Sequence, residues 1–406
     1  MLNRDRLLIR CCYLGMFIQA LVINLTPILF IPLRGEFGLS WEQIGRLVLV
    51  SFLTQMVVDL VCCWFADRVP TKPLVVAANF LAAAGLWLFA LAPGFLDSPY
   101  AGLMLGTVVF SIGCGLLEVL LSPIINAVPS ERKSSDMAML HAFYPIGKVA
   151  VIVATGVALY VFGVASWRTV ILAWSVFPLV NTLAFMMVRI PSFSADGPRT
   201  TLRSLFRRPV YLLLLAAMLL AGATEVTIAQ WTSAYVQSGL GYSKVVADLV
   251  GFTLFGVGMI IGRVWFGLRG DQGGLRRIMI WGAIFSSATF LIMSLSPIPL
   301  LALVACVTSG LFVSMLWPGT LSLSTHRFPL AGASMFAFLA AAGDTGAALM
   351  PWTVGLIADQ AGGPMAWAVW IFGPDIPADQ LGLRAGLLVA ALCPLLMIPV
   401  LHFMKK

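Results

Sequence analysis

SIGCGLLEVLLSPIINAVPSERKSSDMAMLHAFYPIGKVAVIVATG, residues Ser111 to Gly156, holds two apolar runs joined by a short polar hinge. Each run is long enough to cross a bilayer. Each also carries an ionisable residue deep inside it, Glu118 in the first and Lys148 in the second. At a helical rise of 1.5 Å per residue, Glu118 lies about 15 Å before the hinge at Pro129, and Lys148 about as far beyond Met137. Both are expected near the bilayer midplane. An ionised side chain there costs roughly 2.5 to 3.5 kcal/mol even on mild insertion scales, so each needs a partner, water or a function.

The rest of the chain has the same character. Hydrophobic residues make up 60% of the 406 residues and charged residues 10%, against about 25% charged in soluble domains. The chain reads as an all-α, polytopic integral membrane protein with room for roughly twelve helices and none for a large soluble domain. The opening MLNRDRLLIR runs straight into an apolar stretch without a small-residue cleavage site, so it reads as the start of the first membrane helix. The seven cysteines are scattered through apolar runs without disulfide or metal spacing and read as packing residues.

Periodicity, length and turn residues predict crossings at 8–33, 42–66, 73–93, 100–127, 137–163, 168–189, 210–237, 247–269, 277–296, 299–324, 332–357 and 381–403. With both termini cytoplasmic, the inside segments hold Arg4, Arg6, Arg68, Lys72, Arg132, Lys133, Arg189, Arg199, Arg203, Arg207, Arg208, Arg269, Arg276, Arg277, Arg327, Lys405 and Lys406. The outside segments hold only Arg34, Arg46, Arg168, Lys244 and Arg384. That asymmetry sets the orientation by the positive-inside rule and explains the net charge of +8 without nucleic acid. The expected location is a bacterial-type cytoplasmic membrane.

The polar stretch 191–209 separates two six-helix halves, 1–190 and 210–406, that look alike. Asp67-Arg68 follows the second crossing and Asp271-Gln-Gly273 the eighth; Gly115 precedes Pro123 by the interval that separates Gly310 from Pro318; Gly147-Lys148 matches Gly343-Asp344. Duplication of this kind marks a transporter that holds its substrate between the halves and rocks about it.

At these residues the chain resembles the major facilitator superfamily. The loops Asp67-Arg68-x-Pro70-x-Lys72 and Asp271-x-Gly273-x-x-Arg276-Arg277 are similar to degenerate copies of its signature, with Cys63 and Pro70 where glycines are usual. Gly113-x-Gly115-x-x-Glu118-x-x-x-Ser122-Pro123, then His141-x-Phe143-x-x-x-Gly147 and Glu225-x5-Trp231-x3-Tyr235, resemble the fucose/glucose/galactose proton symporters. Ser122 stands where that group has Asn, Lys148 where it has a small residue, and Asn24-Leu-Thr-Pro27 lacks its first-helix acid. The resemblance implies the major facilitator fold and a proton-coupling or sugar-binding role for Glu118.

The candidate residues follow. Glu118, Lys148 and Asp344 are the proton-coupling set. His141 and Tyr144 share a helical face with Lys148, and with Gln19, Asn24, Glu225, Trp231 and Tyr235 they form the substrate-binding set: an acid and aromatic faces suit a sugar or an amphipathic ligand. Asp59, Asp67, Arg68, Arg263 and Asp271 form a gating set. A static ion pair, interfacial aromatics and solvated loop charges are the bland readings of these sets.

No nucleophile motif, P-loop, Rossmann fingerprint or metal-ligand cluster is found, and His141, His326 and His402 are dispersed. The chain therefore reads as a non-enzyme without cofactor, working as a monomer in the lipid bilayer on a small-molecule substrate and protons, with sodium as the alternative ion. The favoured reading is proton-coupled symport of a small polar solute, a sugar or anionic sugar derivative; the alternative is a proton-coupled exporter or antiporter of an amphipathic compound.

Overall fold

In the computed structural model the described residues are 3–65, 70–128, 133–190, 202–269, 272–328, 333–360, 366–373 and 375–404. The helices are α1 Asn3–Phe37, α2 Trp41–Phe65, α3 Thr71–Leu91, α4 Pro99–Ala127, α5 Lys133–Phe162, α6 Trp167–Trp174, α7 Val176–Met187, α8 Leu202–Phe206, α9 Pro209–Ala234, α10 Thr253–Arg269, α11 Gln272–Leu295, α12 Pro299–Val313, α13 Leu316–Arg327, α14 Ala333–Gln360, α15 Ala366–Phe372, α16 Ala378–Ala390 and α17 Leu392–Phe403. No strand occurs among the described residues. Among the described residues, eleven helical stretches are long and apolar enough to cross a membrane. The 28-residue α14, with Asp344, Thr345 and Pro351 in its body, covers the remaining expected crossing, 332–357.

Three expected crossings are broken, each for the same reason. A proline lacks the N–H that would bond four residues back, and its ring crowds that carbonyl. Pro178 ends α6 at Trp174, Pro318 ends α12 before Ser314, and Pro394 ends α16 at Ala390. Two π-helical turns, Tyr235–Gly239 after α9 and Val246–Phe252 before α10, widen the ends of the seventh and eighth crossings. Within the expected linker, the short helix α8 forms; residues 191–201 lie outside the described residues.

The chain divides into two compact units, Met1–Pro32 with Val50–Gly197, and Leu33–Leu49 with Pro198–Lys406. The turn between α1 and α2 thus belongs to the second unit. Gly38, at φ +63°, makes that turn, a left-handed conformation that favours glycine.

Lipid tails are as apolar as leucine, so helices in a membrane associate through close packing and hydrogen bonds instead of hydrophobic burial. In the first unit, α4 is pressed against α3 at Gly85, Gly106 and Gly113 and against the turn Ala92–Gly94 that follows α3 at Gly102, where an added methyl would overlap the backbone of Phe110, Phe89, Ala78 and Pro93. Asn181 ties α7 to its neighbours, donating to Asn79 Oδ1 at 2.9 Å and to Cys11 O at 3.2 Å. In the second unit, Gly222 and Gly346 let α9 and α14 touch backbone to backbone, and Gly310 does the same for α12 and α10. Gly115, matched to Gly310 by the sequence repeat, likewise brings α4 close to α2, at Val58 and the Gln55 Cα, in the first unit.

Candidate functional site

Glu118 sits three residues beyond Gly115, and an added methyl at Gly115 would press on Val58 and on the Gln55 Cα. That close approach of α4 to α2 sets the site, because Asp59 follows Val58. Gln19 Nε2, from α1, donates to Glu118 Oε2 at 2.8 Å. Asp59 is only 1% exposed, neither of its carboxyl oxygens has a hydrogen-bond partner, and it lies within electrostatic reach of Glu118. Below them the Ser51 and Ser111 hydroxyls hydrogen-bond at 2.8 Å, with Gln55 leaning on Ser51. The sequence grouped Asp59 with the gate; the structure brings it to Glu118. Asn24, buried, spends its amide on Ala20 O of its own helix at 2.8 Å. Lys148 is buried in α5, whose Gly147 abuts Phe17 of α1, and Tyr144 is half-buried one turn earlier. The side chain of His141, and Asp67, Arg68 and Asp271 altogether, lie outside the described residues.

A groove of about 570 Å³ runs beside this carboxyl site. Val50, Val57, Val61, Leu74, Ile112 and Leu116 are among its lining residues.

In the second unit, Glu225 Oε1 takes an ion pair from Arg263 at 3.0 Å, while Arg263 Nε donates to Ser314 O at 3.2 Å. The other Glu225 oxygen is buried without a hydrogen-bond partner. Arg263, expected in the gate, is thus tied to a residue expected in the binding set. Trp231 and Tyr235 are fully buried. Trp231 Nε1 donates to Pro351 O at 3.0 Å and Tyr235 OH to Met293 O. With rings enclosed and polar tips bonded to backbone, both anchor α9 against its neighbours in this structure. Asp344 is buried in α14, between Gly343, which faces Trp317, and Gly346, which faces Leu219.

Two further clusters escaped the sequence reading. Lys244 Nζ lies 2.7 Å from both oxygens of Asp248 and donates to Ser233 Oγ at 3.1 Å. Burial pushes the Lys244 ammonium below the ordinary lysine range, and Asp248 offsets part of that. At the α1–α2 turn, Arg34 grips Asp379 with two nitrogens at 2.9 and 3.1 Å and lies 4.2 Å from the centre of the Trp41 ring. The Asp359 carboxylate accepts the Trp41 and Glu42 backbone N–H groups at 2.7 and 2.6 Å, and Trp352 Nε1 donates to Glu42 at 2.6 Å. Ser40 and Gln43 complete a reciprocal capping box, visible in sequence as Ser-x-x-Gln.

A nearly all-helical chain with many apolar spans and buried carboxyls on tightly packed helices is a multi-pass integral membrane protein. The chain belongs to the Major Facilitator Superfamily, whose profile matches residues 12–267. It is 25% identical over 289 residues to an uncharacterised MFS-type transporter of Mycobacterium tuberculosis strain H37Rv, a match covering 67% of this chain and 64% of the relative. The chain thus spans less than two thirds of that relative's length. Solved structures share the fold. A bacterial homologue of the human lysosomal transporter Spinster, inward-facing and occupied, aligns with TM-score 0.75 at 14% identity, over 100% of this chain and 97% of its own. The nucleoside transporter NupG aligns at 0.73 with 12% identity, and the Escherichia coli fucose:proton symporter FucP at 0.64 with 15%, each over 100% of both chains.

Proposed function

We propose that this transporter moves a small polar solute, a sugar or anionic sugar derivative, by proton-coupled symport with alternating access. The observation that carries the coupling ion is the Glu118–Asp59 pair: two carboxyls within electrostatic reach in a low-dielectric bundle, one of them with no hydrogen-bond partner. A single proton held by the pair cancels one of two costly charges, and its arrival and departure can be tied to a change of state. Gln19 fixes Glu118 from α1, so movement of that helix alters the pair. Lys148 and Asp344 adjust the charge of the pathway as the protein rocks, and Tyr144, His141 and Glu225 supply hydrogen-bonding groups to the solute. The protein works as a monomer in a cytoplasmic membrane, both termini inside. The proton symport of a fold neighbour supports the reading without fixing the substrate.

The apolar groove beside α2 and α4 favours a second reading, export of an amphipathic compound. Uptake into proteoliposomes of labelled hexoses, deoxy sugars, sugar acids and small organic anions, under an imposed proton gradient, separates the two. Symport predicts gradient-driven accumulation of one solute, lost in Glu118→Gln and Asp59→Asn while exchange of that solute survives. Accumulation that persists in both variants removes the carboxyl pair from coupling; efflux of an amphipathic dye against its gradient, with no solute taken up, establishes the second reading.

A further inference from the structure

We propose that Arg384 is the cationic anchor of an anion-binding site in the second unit, taking a carboxylate or phosphate group. The sequence reading counted Arg384 with the outside charges, at the start of the expected crossing 381–403; the structure puts it inside α16, only 8% exposed, with its Nε buried and without a hydrogen-bond partner. Helix geometry fixes its direction. Gly382 and Gly386 seat α16 against Ala358 and Val354 of α14. Arg384, two residues from each, lies nearly on the opposite face at about 100° per residue. That face meets the π-helical turn Tyr235–Gly239, and Arg384 stands within electrostatic reach of Tyr235.

Four acids of this unit are held by other partners. Asp379 is held by Arg34 and the Trp41 indole, Asp359 by two backbone N–H groups of α2, Asp248 by Lys244 and Ser233, and Glu225 by Arg263. No ion pair reaches Arg384 among the described residues. The π turn that α16 packs against also holds Gln237, whose side-chain oxygen is buried with no partner. A buried guanidinium is tolerated in a membrane protein when a counter-charge satisfies it, and its planar fork of donors matches carboxylate and phosphate oxygens two at a time. Tyr235 spends its hydroxyl on Met293 O, so the charge that meets an anion here comes from Arg384. The site belongs to the second unit and the Glu118–Asp59 pair to the first, and the proposal does not depend on proton coupling.

The test is ligand-dependent thermal stability of the full chain purified in a neutral detergent, titrated with sodium acetate or sodium phosphate against sodium chloride at matched ionic strength. A parallel arm uses nanodiscs of phosphatidylcholine with or without phosphatidylglycerol. The expected result is a saturable rise in melting temperature with one soluble anion or with the anionic lipid. Its apparent affinity falls roughly tenfold or more in Arg384→Gln and by less in Arg384→Lys, which keeps the charge but loses the fork. Response to soluble anion identifies a solute-borne group; response to phosphatidylglycerol alone identifies a lipid headgroup; either supports the site. The proposal is overturned if wild type responds to none of these probes beyond chloride, or if Arg384→Gln responds equally. Should Arg384→Gln fail to fold, the wild-type titration and Arg384→Lys still decide it, since equal affinity in Arg384→Lys and wild type refutes bidentate recognition.

Discussion

Replacing Asp359 by Asn tests whether the α1–α2 turn is held in the second unit by a borrowed helix cap. The first four N–H groups of α2 have no partner inside their own helix. Gln43 is capped by Ser40 Oγ and Ile44 by Ser40 O, while Trp41 and Glu42 donate to the two oxygens of Asp359. Asn keeps one acceptor oxygen and loses the charge. One hydrogen bond to a charged group contributes about 1.5 to 3 kcal/mol, and a carboxylate at a helix N-terminus about 0.3 to 1 kcal/mol more. Asp359 is half-buried, which favours the lower end of that range, about 2 kcal/mol in all. At 1.4 kcal/mol per decade the opening equilibrium of these two amides rises roughly 30-fold. Hydrogen exchange read by mass spectrometry on peptides covering 38–46 reports it directly. Exchange there is expected to accelerate by about that factor in Asp359→Asn, while peptides of α3 and α4 stay unchanged. Wild-type exchange in a folded Asp359→Asn protein would refute the reasoning, since it would mean that Asp359 is not what protects these amides.

Gly346→Val places branched carbon against Leu219 O at the α9–α14 contact and is expected to cost at least about 1 to 3 kcal/mol, seen as a lower melting temperature in detergent; Gly94→Ala, with open space around it, serves as the neutral control. Glu225→Gln strips Arg263 of its charge partner. Because the Arg263 side chain is about a quarter exposed, the expected loss is only about 1 kcal/mol. A double-mutant cycle with Arg263→Gln should recover part of it, and full additivity would show that the pair contributes nothing. Lys244 is pushed below the ordinary lysine pKa by burial, so the unfolded chain binds more protons than the folded one between the folded value and about 10.4. Stability from this group therefore rises with pH in that window, and wild type should gain melting temperature relative to Lys244→Gln as pH climbs towards 10; a flat difference contradicts the depressed pKa.

The crossings were legible because twenty-residue apolar runs and their turn residues follow from bilayer thickness. The buried acids were legible because a charge in such a run needs a reason. Helix rotation was not: α2 and α9 are apolar on nearly every face, so periodicity does not say which side meets a neighbour. Asp59 was consequently grouped with the gate by its nearness to Asp67 in sequence, whereas the Gly115 contact carries it to Glu118. Prolines were ambiguous for a related reason. Pro178, Pro318 and Pro394 interrupt their crossings, but Pro123, Pro145 and Pro351 ride inside continuous helices, because neighbouring helices can satisfy the freed backbone groups. Trp231 and Tyr235 look like ligand-facing aromatics in sequence; their carbonyl partners, Pro351 and Met293, lie far along the chain. Arg384 already fell at the start of the expected crossing 381–403, but the sequence did not show that its side chain would be buried.

The four glycines that join α4 to α3 and to the turn after it have a consequence for how this gene can vary. Every missense change at a glycine codon introduces a Cβ, and at positions 85, 102, 106 and 113 that atom meets backbone, which cannot rotate aside as a flexible side chain can. Saturation mutagenesis scored for surface expression should therefore show four nearly empty columns in these two helices. Positions such as Phe80 and Leu105, whose side chains are exposed, should accept any apolar residue. In this helix pair the residues with the least chemistry would be the ones under the strongest purifying selection.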